Sequence, residues 1–76
     1  MNQKERDLRK AAEECSELAT VLIQQLNKPH RDFSKHIIEE IGDALFRIEN
    51  LRKHFDSGAI SGRIDMKRKK NGQKNN

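Results

Sequence analysis

The densest chemistry in this chain lies in two acidic clusters, Glu13-Glu14-Cys15-Ser16-Glu17 and Glu39-Glu40-Ile41-Gly42-Asp43. At about 100° per residue, helical side chains three apart sit one turn apart on the same side, which pairs Glu14 with Glu17 and Glu40 with Asp43. Ala11 and Leu18 flank Glu14, and Ile37 and Ala44 flank Glu40. Each pair therefore borders an apolar seam. Like charges at this spacing cost a helix about 0.2–0.5 kcal/mol per pair, and partial burial adds to the cost. A divalent cation offsets it directly. Mg²⁺ and Mn²⁺ take hard oxygen ligands in octahedral geometry and keep waters or substrate phosphates in the remaining positions. Facing helices of a bundle can supply such carboxylates from both sides. One pair alone reads most simply as a solvated acidic face; two matched pairs on facing helices favour a metal site.

The elements that must hold these clusters are helices. From Lys4 to about Asn27, the residues Leu8, Ala11, Ala12, Cys15, Leu18, Ala19, Leu22 and Leu26 recur at three- and four-residue steps, the period of one helix face. Pro29 stops the pattern, since it has no amide hydrogen and disfavours helical geometry in the residue before it. A turn over Lys28 to Asp32 follows, and Asp32 or Ser34 can cap a second helix. Its apolar residues Ile37, Ile41, Ala44, Ile48, Leu51 and Phe55 alternate four and three steps apart, a helix-packing seam that Ile38 and Leu45 widen. Ser57-Gly58 supplies its expected stop. A short third helix over Ala59 to about Lys69 would carry Ile60, Ile64 and Met66. Residues 69–76 read as a disordered basic tail beyond a domain of residues 1–68. Two long helices joined by about five residues pair antiparallel. The expected fold is all-α: an antiparallel helical hairpin with a short C-terminal helix, made into a four-helix bundle by a homodimer or homotetramer.

Seventy-six residues, 33% hydrophobic and 37% charged, leave room for one small domain with a marginal core. No apolar run approaches the roughly 18–20 residues of a membrane span. The opening Asn2-Gln3-Lys4-Glu5-Arg6-Asp7 does not resemble a secretory leader, so a cytoplasmic location is expected. The single cysteine, Cys15, offers neither an intramolecular disulfide nor a cysteine-rich zinc site, and reads as a small buried hydrophobe. His30, His36 and His54 have no metal-triad spacing and read as surface residues; Phe33, Phe46 and Phe55 read as core or interface. Gly42, in mid-helix, costs about 0.5–1 kcal/mol relative to alanine and implies close approach of another helix or a ligand. The charge of +4 is uneven: residues 1–56 carry ten Lys/Arg against eleven Asp/Glu, and residues 57–76 six against one. The run Lys67-Arg68-Lys69-Lys70 lacks interleaved aromatics and no helix-turn-helix pattern precedes it, which argues against sequence-specific nucleic-acid recognition.

Glu13-Glu14-x-x-Glu17 followed by Glu40-x-x-Asp43, within Ala12–Leu18 and Ile38–Leu45, resembles the paired motif of the MazG-like all-α nucleoside triphosphate pyrophosphohydrolases. The resemblance covers about residues 4–70. It implies hydrolysis of a nucleoside or deoxynucleoside triphosphate to the monophosphate and pyrophosphate with Mg²⁺ or Mn²⁺. By the same resemblance Glu14, Glu17, Glu40 and Asp43 would ligate metal, and Glu13 would orient or deprotonate a water. Arg63 and Lys67, four apart on the third helix, would meet the substrate phosphates, with Lys53 and Arg47 as further candidates. Arg47 reads more simply as a partner of Asp43 one turn away. Two other functions compete with this one: a non-catalytic helical dimer that binds nucleotide or a protein through its acidic groove, and a nucleic-acid-binding module that uses the basic tail.

Overall fold

The computed structural model describes the backbone of residues 2–74 and the side chains of residues 2–72. It contains three α-helices and, among the described residues, no strand: α1 (Gln3–Asn27), α2 (Ser34–Arg52) and α3 (Ser57–Lys74). Asn2 caps α1, its side chain accepting the Glu5 backbone N–H at 2.8 Å. The Lys28 N–H closes α1 on the Gln24 carbonyl. Gln25 then holds the turn, its amide donating to the Lys28 and Arg31 carbonyls at 3.3 and 2.6 Å and accepting from the Phe33 N–H at 3.0 Å. Neither expected residue caps α2: Asp32 accepts the Ser34 N–H at 2.9 Å in a local turn ahead of the helix, and Phe33 stands at the N-cap with no side-chain hydrogen bond.

α2 ends earlier than its apolar period suggests. Phe55 continues the seam in sequence but lies in a turn, because the His54 and Phe55 N–H groups bond back to the Leu51 and Arg52 carbonyls, three residues away. Asp56 restarts the chain as α3, its side chain accepting the Ala59 N–H and its carbonyl the Ile60 N–H. Ser57-Gly58 therefore opens α3 and does not stop α2. Arg52 clamps the junction, donating to the Ser57 hydroxyl at 3.0 Å, the Ser57 carbonyl at 3.3 Å and the Ser61 hydroxyl. α3 also runs to Lys74, beyond the expected end near Lys69 and into the segment expected to lack structure. Lys, Arg and Gln are good helix formers, which carries the helix through Gly72 despite its cost. Residues 75 and 76 of the expected tail lie outside the described residues.

The tertiary contacts fall mainly between α1 and α2. Their core is small: among the described residues Ala11, Val21 and Ala44 are the buried apolar ones, and Val21 is 1% exposed. Alanines at the contact let two helix backbones approach closely. Leu18, Ile37 and Leu51 are half-buried, while other large apolar residues stay out of it, with Leu26 78%, Ile38 69% and Leu45 56% exposed. Cys15 is exposed, against its expected burial. A Cβ built at Gly42 meets nothing within 4 Å, so no close approach within the chain accounts for this glycine. The molecule measures 42 × 39 × 15 Å. Its thin dimension is little more than the about 10–12 Å of one helix with its side chains, which makes it a single layer. The radius of gyration, 15.3 Å, exceeds the about 11 Å of a compact domain this long. No helix among the described residues is long and apolar enough to cross a membrane.

Val21→Ala removes two methyl groups from the best-packed position. The expected loss is about 2 kcal/mol, a Tm lowered by roughly 10 °C in a circular-dichroism melt.

Among the described residues, a side-chain hydrogen bond joins distant parts of the chain. His54 Nε2 lies 2.7 Å from Asp7 Oδ2, linking the turn after α2 to the start of α1, and Gln3 donates to Asp7 Oδ1 at 2.9 Å. His54 is thus half-buried and paired, not the free surface histidine its sequence context suggests. The hydrogen bond to His54 holds the Asp7 carboxyl below its ordinary 3.8, with desolvation opposing. A carboxyl depressed in the folded state adds stability that is present above 3.8 and lost as pH falls through the lower folded value. Melting curves taken from about pH 5 to about pH 3 should therefore fall more steeply for the native chain than for Asp7→Asn.

Candidate metal centre

Three carboxylates meet where α1 faces α2. One oxygen from each of Glu14, Glu40 and Asp43 lies within 4.8 Å of the other two. The local sequence explains the convergence. Glu14 stands one turn after the buried Ala11, while Glu40 and Asp43 stand one turn before and directly beside the buried Ala44. The buried alanine positions of the two helices therefore have the acids as close neighbours.

Glu14 and Glu40 are part-buried and Asp43 is exposed. On each glutamate Oε2 is buried with no hydrogen-bond partner. A carboxylate oxygen removed from water without a donor is costly, and here two carboxylates of one cluster each carry such an oxygen. Burial pushes the Glu14 carboxyl above its ordinary 4.5, the neighbouring Glu17 raises it further through its charge and a shared hydrogen bond, and Asp43 adds to this; Arg47 opposes. Glu17, expected as a fourth ligand, thus acts on the site through Glu14 but is not among the three converging acids. On the other side, His36 Nε2 lies 3.2 Å from Glu40 Oε1, an i,i+4 contact along α2. A ring nitrogen carrying hydrogen there would fix the orientation of the carboxylate, as partners of metal-ligating groups commonly do.

The donor set fits a hard divalent cation. Three carboxylates from two helices, two of them carrying an oxygen that lacks any donor, suit Mg²⁺ or Mn²⁺ with coordination positions left for water or phosphate.

Other expected site residues lie apart from this set. Glu13 is exposed and pairs with Lys10 at 3.6 Å, turned away from the three converging acids. Arg63 and Lys67 line a hollow of about 400 Å³ with Ile60, Ile64, Arg68 and Asn71; all six belong to α3, and none of the clustered acids lines it. Arg47 lies over the Phe46 ring at 5.2 Å, and among the described ion pairs none joins it to Asp43. A groove of about 430 Å³ adjoins the carboxylates, lined by Ser16, Glu17, Thr20, Val21, Gln24, His36 and Glu40. Neither His36 nor this groove stands out in the sequence. The signals were the four-residue step from His36 to Glu40 and the uncharged polar residues at 16, 20 and 24.

No known protein family, curated protein or solved structure matches the chain.

Proposed function

We propose that the protein is a metal-dependent pyrophosphohydrolase of the MazG-like kind, converting a nucleoside or deoxynucleoside triphosphate to the monophosphate and pyrophosphate as a homo-oligomer. The observation that carries this reading is the pair of buried, unpartnered Oε2 atoms on Glu14 and Glu40 beside Asp43. An acidic surface patch alone would keep its oxygens in water; these are withdrawn from it, and a cation supplies the missing partner.

When bound, Mg²⁺ neutralises triphosphate charge and makes a water more acidic. Glu14, Glu40 and Asp43 would hold it, Glu17 would complete the set through its contact with Glu14, and His36 would keep Glu40 in position. Glu13, exposed and paired with Lys10 outside this set, keeps its proposed part in water activation on the sequence resemblance alone. Phosphate charge remains to be met by Arg63 and Lys67 from α3. In the proposed assembly α1 and α2 form an antiparallel hairpin that is half of a four-helix bundle. The single-layer shape and the exposed Ile41, Leu45, Ile48 and Phe55 support a second copy as the other half.

The test is incubation with each common NTP and dNTP in Mg²⁺ or Mn²⁺, reading monophosphate and pyrophosphate. At least one nucleotide should yield both products, and Glu14→Gln and Asp43→Asn should each abolish them. A folded protein that binds the cation but turns over no nucleotide refutes the enzyme and leaves a binding groove. A basic-tail nucleic-acid module would instead show itself by affinity and salt dependence lost on deleting residues 69–76.

A further inference from the structure

The groove beside the carboxylates has a composition of its own. Ser16, Thr20 and Gln24 stand four residues apart on α1 and form one stripe, about 12 Å long at 1.5 Å per residue. Val21, nearly fully buried, is its apolar floor, and His36 of α2 stands on the opposite wall. Glu17 and Glu40 are the only charged residues of the lining apart from the imidazole. The groove thus joins acids that belong to the metal cluster or touch it to a run of neutral hydrogen-bonding groups.

Those groups have capacity to spare. The Thr20 hydroxyl donates its hydrogen to the Ser16 carbonyl at 2.9 Å, which leaves its oxygen lone pairs as acceptors facing a ligand's O–H or N–H. The Gln24 carboxamide and the Ser16 hydroxyl have no hydrogen-bond partner among the described residues. An amide presents an acceptor and two donors in one plane, the complement of a base edge. The volume of about 430 Å³ lies within the about 300–1,000 Å³ of small-molecule sites. Nothing in the lining would stack on a base except His36, so recognition here runs through hydrogen bonds.

We propose that this stripe is the nucleoside subsite: with the phosphates at the carboxylates, the sugar lies against Ser16 and Thr20 and the base edge meets Gln24. This rests on the pyrophosphohydrolase reading and adds to it where selectivity resides. Phosphate chemistry would belong to the acids, and discrimination between nucleotides to three uncharged side chains of one helix.

The experiment separates the two ends of the substrate. Turnover of the NTP and dNTP panel is compared with turnover of inorganic tripolyphosphate, which has no nucleoside, for the native protein and Gln24→Ala in Mg²⁺. Gln24 is exposed, so truncating it leaves the fold intact. The expected result is a loss of about tenfold in kcat/KM for the preferred nucleotide, with tripolyphosphate changed less than about twofold. An equal loss for both, or none for the nucleotide, overturns the subsite. In parallel, free nucleosides are titrated without metal while ¹H–¹⁵N spectra follow the Gln24 side-chain amide and the Ser16 and Thr20 backbone amides. Shifts confined to that stripe support the subsite even if no triphosphate is hydrolysed, an outcome that would sink the enzyme reading alone. Shifts elsewhere, or none with any nucleoside, overturn it independently of turnover.

Discussion

Glu40→Gln is expected to lower pyrophosphate release by about 100-fold or more while leaving the cation-free protein at least as stable as the native one. Residues that merely orient a metal ligand change metal affinity or activity about 10–100-fold, so a ligand itself should reach or pass the upper end. The stability half follows from the crowding. Glu40 stands with Glu14 and Asp43 in a cluster whose oxygens lie within 4.8 Å, and its Oε2 has no donor. A neutral amide relieves the like-charge repulsion and adds donors to a site that lacks them. Melting in the absence and presence of Mg²⁺ checks both halves. The native chain should gain Tm with Mg²⁺, and Glu40→Gln should start no lower and gain little. A large fall of the metal-free Tm would mark Glu40 as a structural residue and remove it from the proposed ligand set.

The second large effect concerns assembly. Leu45→Lys places a charge in the apolar hollow between α2 and α3, which Leu45 lines with Ile48, Leu51, Phe55, Ile60 and Ile64. Leu45 is 56% exposed in the single chain, so little intrachain packing is lost. If a two-fold partner covers this surface, the substitution enters the interface twice. Losing about 2 kcal/mol of apolar burial at each copy weakens a dimer roughly 1,000-fold. Sedimentation equilibrium reads this as a shift from a multiple of 8.9 kDa toward the single-chain mass. Turnover should fall with the oligomer and return at high protein concentration. A native chain that sediments as a stable monomer would contradict the proposed bundle.

How much of this is legible in the sequence differs by element. The C-terminal end of α1 is readable almost to the residue, because its apolar period runs unbroken to about Asn27 and Pro29 stops it. The end of α2 is not, because Phe55 falls in phase with the seam although a turn and the Asp56 cap already redirect the chain. Composition also misleads at the C-terminus: Lys, Asn, Gly and Gln suggest a tail, yet enough of them favour helix for α3 to reach Lys74. The juxtaposition of Glu14, Glu40 and Asp43 follows from spacing against the alanines, since helical rotation is fixed once the contact face is known. Their chemical role does not follow from spacing. Contacts such as Asp7 with His54, 47 residues apart, depend on how α1 and α2 are superposed end to end, and no local period encodes that. The stripe at Ser16, Thr20 and Gln24 is hidden for another reason. Uncharged polar residues on a helix are indistinguishable from ordinary solvent-facing ones until a second helix raises a wall beside them.

The Arg52 clamp makes α3 a hinged arm. One guanidinium holds the junction, and no described residue of α3 is buried. An 18-residue helix with Ile60 alone part-buried among its described residues is near the limit of what survives by itself in water. Two grades of order are the expected consequence: hydrogen exchange should find the amides of the paired α1 and α2 scaffold better protected than those of the α3 arm. In the proposed enzyme the arm bears Arg63 and Lys67 and the scaffold bears the acids. Capture of a polyanion would then be set by the arm's residence time, and the timing of catalysis would lie in a segment remote from the cation.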